Sequence, residues 1–263
     1  MNIAILGDIH ANAPALETVL AALEARGDID ATYHVGDLVG YAPWPNETVA
    51  LITARGIAGV SGNYDSTVAL NYKHCGCTYD DARQEALSHL SFEWTKSHTS
   101  VDAKRALGEL PFSLTLRPFG GHAAGPSVVL VHGTPTLNTV YWHADRSDDF
   151  CRQMAALMSL KAGDVTVFGH THKTWHRVVD GIHFVNAGSV GRPKDGDPRT
   201  GYVRLSLSAK EVEVEFVRIP YDVHAAAAGI LASTLPNEFA EYLRTGGTRS
   251  APADSPPQLP RTE

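Results

Sequence analysis

The chain of 263 residues predicts an α/β fold, with a parallel, helix-connected first half and a mixed or antiparallel second half. Three observations predict it. Short apolar runs alternate with helix-period segments up to about residue 60. Later runs pair across turn dipeptides. Five short glycine-containing motifs each stand just after an apolar run, where open α/β sheets gather their ligands.

Asn2 to Leu6 reads as a buried strand, and Pro14 to Arg26 follows with helical spacing at Leu16, Val19, Leu20 and Leu23. Pro14 suits a first helical turn and Gly27 a stop. Ala31 to Val35 is a second strand, Asn46 to Ala54 a helix and Ile57 to Val60 a third strand. That order implies right-handed crossovers between parallel strands. Asp80 to Lys96 reads as a helix with Asp81, Arg83 and Glu85 on its wet face. Val128 to Val131 and Val165 to Phe168 are buried strands separated by a helix near Asp149 to Ser159. His176 to Val179 and His183 to Val185 flank Asp180-Gly181, a hairpin signal. Tyr202 to Ser208 and Val212 to Val217 form another, turning near Ala209-Lys210. Helices are expected over Val223 to Ser233 and Asn237 to Leu243. Beyond Gly246 the composition shifts to Ser, Pro, Gly and Thr. The expectation is therefore one domain, residues 1–246, followed by a flexible tail, residues 247–263.

A formal net charge of −7 argues against general nucleic-acid binding, which displaces counterions with a basic surface. Three cysteines cannot build a disulfide framework, so a reducing, cytoplasmic setting is expected. No leader or membrane-length apolar segment is visible, and no membrane partner is expected. An oligomer of identical chains is left open.

The five motifs are GDIH (Gly7 to His10), GDLVG (Gly36 to Gly40), GNYD (Gly62 to Asp65), VHGTP (Val131 to Pro135) and GHTH (Gly169 to His172). They supply Asp8, His10, Asp37, Asn63, His132, His170 and His172, a set of oxygen and imidazole donors with no thiolate. Such a set suits a pair of divalent cations. Manganese or iron fits best, with zinc, nickel or magnesium as alternatives. Two cations sharing a carboxylate lie roughly 3.5–4 Å apart, clamp an in-line displacement at phosphorus and turn a bridging water into a hydroxide near neutral pH. Taken singly, each residue is also an ordinary turn or cap residue at a strand end. Seven in register favour the metal reading.

In order, the motifs resemble the calcineurin-like metallophosphoesterase superfamily from Asn2 to about Arg192. GDLVGYAPWPNE, GNYD, GHTHKTWHR and NAGSVGRPKDGDP look like its small bacterial phosphodiesterase-type branch. The resemblance implies a four-layer αββα sandwich of two mixed β-sheets flanked by helices. It also implies that Asp8, His10, Asp37 and His172 hold one metal, and that Asp37 bridges to a second held by Asn63, His132 and His170. Asp37 and Asn63 would then serve catalysis directly. Many members carry a histidine where this chain has Tyr64, oriented by an aspartate where it has Gly40. Both halves of that acid dyad are missing together, which leaves Tyr64 or a metal-linked water to protonate the leaving group. Ser61 and Tyr41 replace the phosphate-binding arginines of protein phosphatases, so that activity is not expected.

Other features carry plainer alternatives. His74-Cys75-Gly76-Cys77 offers too few ligands for a further metal and reads as a surface loop that follows GNYD closely enough to cover the pocket. Asn186 to Gly191 reads either as an anion-binding backbone nest or as a ligand-free tight turn. Arg192 and Lys194 read as solvated surface charges, with substrate phosphate as their alternative target, and Cys151 as a packed thiol. His176 extends the GHTH segment, with packing as its default. The expected function is hydrolysis of a small phosphodiester, such as a nucleotide or cyclic nucleotide, by a metal-bridging hydroxide. The rivals are a phosphoanhydride hydrolase acting on dinucleoside polyphosphates, and a non-catalytic interaction scaffold on the same fold.

Overall fold

The computed structural model describes residues 1–78, 81–120 and 124–248. The first half follows the expected alternation: β1 (Asn2–Leu6), α1 (Ala13–Arg26), β2 (Ala31–His34), α2 (Pro45–Ala54) and β3 (Ala58–Gly59). Three helices follow, α3 (Asn63–Ala69), α4 (Ala82–His98) and α5 (Val101–Gly108). The remaining elements are β4 (Ser113–Leu116), β5 (Val128–Val131), α6 (Asp148–Leu157), β6 (Val165–Phe168), β7 (Trp175–Val179) and β8 (Ile182–Asn186). The chain then forms β9 (Thr200–Leu207), β10 (Val212–Ile219), α7 (Val223–Leu231) and α8 (Glu238–Thr245).

Local chemistry sets the boundaries. Asn12 caps α1 by accepting from the Ala15 N–H, and Gly27 ends it in the left-handed region at φ 68°. The β7–β8 hairpin turns on Asp180 and Gly181 at φ 51° and 77°, the double left-handed pair a two-residue turn needs. Asp81 caps α4, which starts at Ala82; the expected start at Asp80 lies outside the described residues. The sequence reading passes over α3, α5 and β4, each eight residues or shorter. Of the expected tail, residues 249–263 lie outside the described residues. Gly247 is tied to α8 by its N–H, 2.9 Å from the Tyr242 carbonyl.

The strands form two mixed five-stranded sheets, ordered β10-β9-β1-β2-β3 and β4-β5-β6-β8-β7. β1, β2 and β3 run parallel in the first, as do β5, β6 and β8 in the second. Side-chain alternation then builds four layers. Ile3, Ile5, Val128, Leu130, Val165 and Val167 meet in a dry core between the sheets. Ala4 and Leu6 face the other way, into a core roofed by α1, α2, α7 and α8. Val129, Val131, Phe168 and Phe184 pack under α6 with Trp142, Cys151 and Met154. Among the described residues, no helix is long and apolar enough to cross a membrane.

Candidate metal centre

All seven predicted ligands lie just past the carboxyl end of a strand: Asp8 and His10 after β1, Asp37 after β2, Asn63 after β3, His132 after β5, His170 and His172 after β6. The two sheets face each other, so these ends converge. None of the seven is more than 3 % exposed. Asp8, His10 and His172 form one cluster, and Asp37, His132 and His170 a second; within each, one ligand atom per residue lies within 4.8 Å of the others. Asp37 Oδ2 lies 3.4 Å from His132 Nε2 and 3.7 Å from His10 Nε2, so one carboxylate faces both clusters. Asn63 Oδ1 joins the second, 3.1 Å from His132 Nε2.

The imidazoles are oriented from behind. His10 Nδ1 lies 3.0 Å from the Val39 carbonyl, His132 Nδ1 2.7 Å from that of Val35, and His172 Nδ1 2.7 Å from that of Arg192. A neutral imidazole carries one N–H, and donating it backward leaves a bare Nε2 lone pair toward the cluster. His170 is turned the other way, with Nε2 3.2 Å from the Thr139 carbonyl. His10 Nε2 and His172 Nε2 stand 3.0 Å apart. Burial pushes His10 down to about 3 and His172 well below its ordinary value, which disfavours an added proton between them. Two lone pairs beside a carboxylate repel unless a cation joins them. His172 Nε2 is also 3.4 Å from Asp8 Oδ1, so the donor set fits a divalent metal.

The second cluster balances its charge differently. Burial would raise Asp37, but His132, His10 and His170 hold it below the ordinary carboxylate range. Burial would lower His132, but Asp37 lifts it to about 10. Asp8, buried and beside Asp37, is pushed up to about 7 despite the opposing pull of His132. Cation uptake at such a centre would displace protons.

A further ring of contacts fixes the carboxylates. The His170 N–H donates to Asp8 Oδ2 at 2.9 Å, and the Tyr64 N–H donates to Asp37 Oδ1 at 2.9 Å. Asp65, fully buried, accepts from the N–H groups of Leu38 and Gly62 at 2.8 and 2.9 Å, tying two motifs together. Sequence reasoning gave Asp65 no role, although it ends the GNYD motif. Glycine is required where backbone meets ligand: a Cβ at Gly62 would sit 2.1 Å from Asp37 Oδ1, and one at Gly169 2.2 Å from Asp8 Oδ2. Asp8, His10, Asp37, His170 and His172 all have positive φ, from 24° to 66°. That strain, concentrated at one place, is typical of a functional site.

The Tyr64 hydroxyl turns to Ser88, 3.3 Å from its Oγ and 3.4 Å from its carbonyl, while the ring packs edge-on to His10. Gly40 makes room for that ring, since a Cβ there would lie 2.7 Å from it. The Cys75–Cys77 segment does close over the centre. Asn63 Nδ2 donates to the Cys75 carbonyl and to Cys77 Sγ at 3.1 and 3.2 Å, and Cys77 lines the small pocket shared by His10, Asp37, His170 and His172. Asn186 to Gly191 is a backbone brace rather than an anion nest. Ser189 Oγ and the Gly191 N–H both donate to the Asp8 carbonyl, and the Val190 N–H to that of Gly7. Cys151 is buried, accepting from Arg177 Nη2 at 2.8 Å. His176 pairs with His183 on the β7–β8 hairpin, 3.1 Å away. Arg192 and Lys194 correct their default reading as solvated charges. Arg192 is buried, and both line a cleft of about 530 Å³ that opens beside the centre.

The family description "calcineurin-like phosphoesterase superfamily domain" matches residues 1–210. An uncharacterized protein of Methanocaldococcus jannaschii is 28 % identical over 93 % of this chain and 98 % of its own. Among solved structures, a metallophosphoesterase from Sphaerobacter thermophilus superposes with a TM-score of 0.70 at 24 % identity, covering 94 % of this chain and 99 % of its own. A hypothetical protein from Pyrococcus horikoshii reaches a TM-score of 0.77 at 18 % identity, covering 95 % and 99 %. Both likenesses concern the fold.

Proposed function

The chain belongs to the calcineurin-like phosphoesterase superfamily, and we propose on that footing that it hydrolyses phosphodiester bonds in a small molecule using two divalent cations. Asp8, His10, Asp37 and His172 would hold one cation, and Asp37, Asn63, His132 and His170 the other, with manganese or iron as the expected metals. When bound, the pair would neutralise phosphate oxygens and lower the pKa of a nearby water. The observation that carries this reading is the 3.0 Å approach of His10 Nε2 to His172 Nε2, with both Nδ1 atoms committed to carbonyls. A non-catalytic scaffold has no physical need for that repulsion.

The chain's own groups would do the rest. The Tyr64 and His170 amides hold the two carboxylates in place. Arg192 and Lys194 draw the anionic substrate inward. We assign Tyr64 to packing: its hydroxyl is engaged by Ser88, and burial pushes the phenol well above its ordinary value. Tyr64 and Gly40 stand where the histidine and aspartate of the acid dyad would lie, so those two positions supply no proton to the leaving group, and a general acid is ordinarily worth about 10²–10⁴ in rate. Substrates whose leaving groups depart as stable anions are therefore favoured. The substrate is a small phosphoester, and a chain with only three cysteines suits a reducing compartment.

The experiment is hydrolysis of a chromogenic diester and its matching monoester, with Mn²⁺ and then with chelator, beside elemental analysis of the protein. Two metal equivalents and chelator-sensitive diester turnover are expected. Neither metal uptake nor turnover under any cation would end the proposal.

A further inference from the structure

The cleft of about 530 Å³ shares Tyr41, Tyr141 and Lys194 with the metal pocket, so it opens onto the same reacting position. Its polar chemistry is one-sided. Arg192 is 5 % exposed, and its guanidinium lies 4.0 Å over the Tyr41 ring and 4.8 Å over that of Tyr242. Its Nε is buried with no hydrogen-bond partner, and so is Nε2 of Gln84 on the same wall. Among the described residues, neither Arg192 nor Lys194 comes within ion-pair distance of a carboxylate, and the centre's Asp8 and Asp37 attract Lys194 only from farther away. Asp81 also lines the cleft, with its carboxylate accepting from the Arg83 N–H at the start of α4. Desolvated cations without a counterion are costly in any fold. In a chain of formal net charge −7, a buried guanidinium with a half-buried lysine beside it, both on an open cleft, marks a place where a ligand supplies the negative charge.

The far wall is built by Phe239 and Tyr242 of α8, a helix outside the 1–210 span matched by the family description. The rings of α8 and Tyr41 hold the guanidinium flat, and its side chain is thereby pre-organised before any ligand arrives. The cleft's volume of about 530 Å³ holds more than the phosphoryl group being attacked.

We propose that this cleft is an anion subsite for a second phosphoryl group of the substrate, with Arg192 and Lys194 as its specificity-determining residues. The preferred substrates are then compounds carrying two phosphoryl groups, such as phosphoanhydrides or phosphorylated diesters, over simple monoesters. The assignment of substrate class rests on the metal-centre reading above; the anion subsite itself does not.

The test starts with chelator-treated, full-length protein titrated calorimetrically with inorganic phosphate, because the two cationic side chains need no metal. Saturable binding is expected, at least tenfold weaker in Arg192→Gln and in Lys194→Gln. It should be unchanged in Lys210→Gln, which removes an exposed charge between β9 and β10. With Mn²⁺ restored, adenosine diphosphate should inhibit diester hydrolysis at least tenfold more strongly than adenosine monophosphate. That ratio should fall toward one in both variants. The Arg192 backbone carbonyl that orients His172 is untouched by either change, and should Arg192→Gln fail to fold, Lys194→Gln decides. Absence of phosphate binding, or equal binding in all four proteins, overturns the subsite. Equal inhibition by the two nucleotides overturns the substrate class. If the manganese-loaded protein turns over no diester, the metal-centre reading fails while the phosphate titration still judges the subsite.

Discussion

At the scale of single residues, Gly40 and Tyr64 form one unit. The tyrosine ring occupies the space that any side chain at position 40 would need. Gly40→Asp alone should therefore destabilise the protein by about 1–3 kcal/mol through overpacking. Combined with Tyr64→His, the loss should be smaller than the sum of the two single losses, because the smaller ring frees the space. Recovery stays partial, since Gly40 sits at φ 108°. The double variant should also hydrolyse poor leaving groups faster than the parent. Thermal denaturation and rates across leaving groups of rising pKa check both points; strictly additive losses without a rate gain would refute the coupling. His34 offers a cleaner pH probe. It is fully buried, burial pushes it down to about 3, its Nδ1 accepts from the Gly36 N–H at 3.3 Å, and its Nε2 has no partner. The unfolded chain binds a proton there below pH 6.5 that the folded chain refuses until about 3. Stability relative to His34→Gln, which keeps an acceptor, is thus full above pH 6.5 and declines as pH falls below it. Between pH 7.5 and 5 the expected relative loss is about 1–2 kcal/mol. Urea denaturation of both proteins at the two pH values measures it, and parallel curves would contradict it.

At the scale of elements, helix and strand preferences yield to what lies across the interface. Gly229 stands inside α7, where alanine would ordinarily be better by about 1 kcal/mol. A Cβ there would meet the Trp44 ring at 2.3 Å. Gly229→Ala is therefore expected to destabilise by about 1–3 kcal/mol, reversing the sign that propensity predicts. A raised melting temperature would show that the indole moves freely aside. The same logic explains which elements the sequence made legible. β5 is an unbroken apolar run, and β1 and β6 are apolar but for Asn2 and Thr166, because both faces are buried. α1 is legible from its Pro14 and Gly27 as well as its spacing. α3 is not, because a seven-residue helix opening on Asn63, at the buried candidate centre, has no room for an amphipathic period. β4 alternates exposed and half-buried residues at a sheet edge, so its pattern is faint.

At the scale of the whole molecule, the centre joins strand ends from both sheets, so loading it should stiffen the sandwich as one body. A cation at a hundred times its dissociation constant contributes about 2.7 kcal/mol of stability. For a chain of this size that corresponds to roughly 5–10 °C in melting temperature. Chelator should remove that increment and Mn²⁺ restore it, while Asp37→Asn, which weakens the shared carboxylate, should lose most of it. A melting temperature indifferent to chelator would contradict the linkage. The α/β class, the order of most strands and the identity of the seven converging side chains were legible in the amino-acid string, because strand burial and donor chemistry are written in local residue type and spacing. What faces those side chains emerges only in the folded chain: Asp65 holds the Leu38 amide of another motif, the Tyr64 hydroxyl points to Ser88, and Arg192 lies buried among aromatic rings contributed by α8 and by Tyr41. The physical reason is separation along the chain. Each of those contacts joins segments far apart in sequence, and burial, which sets both charge state and hydrogen-bond direction, exists only once the layers have closed.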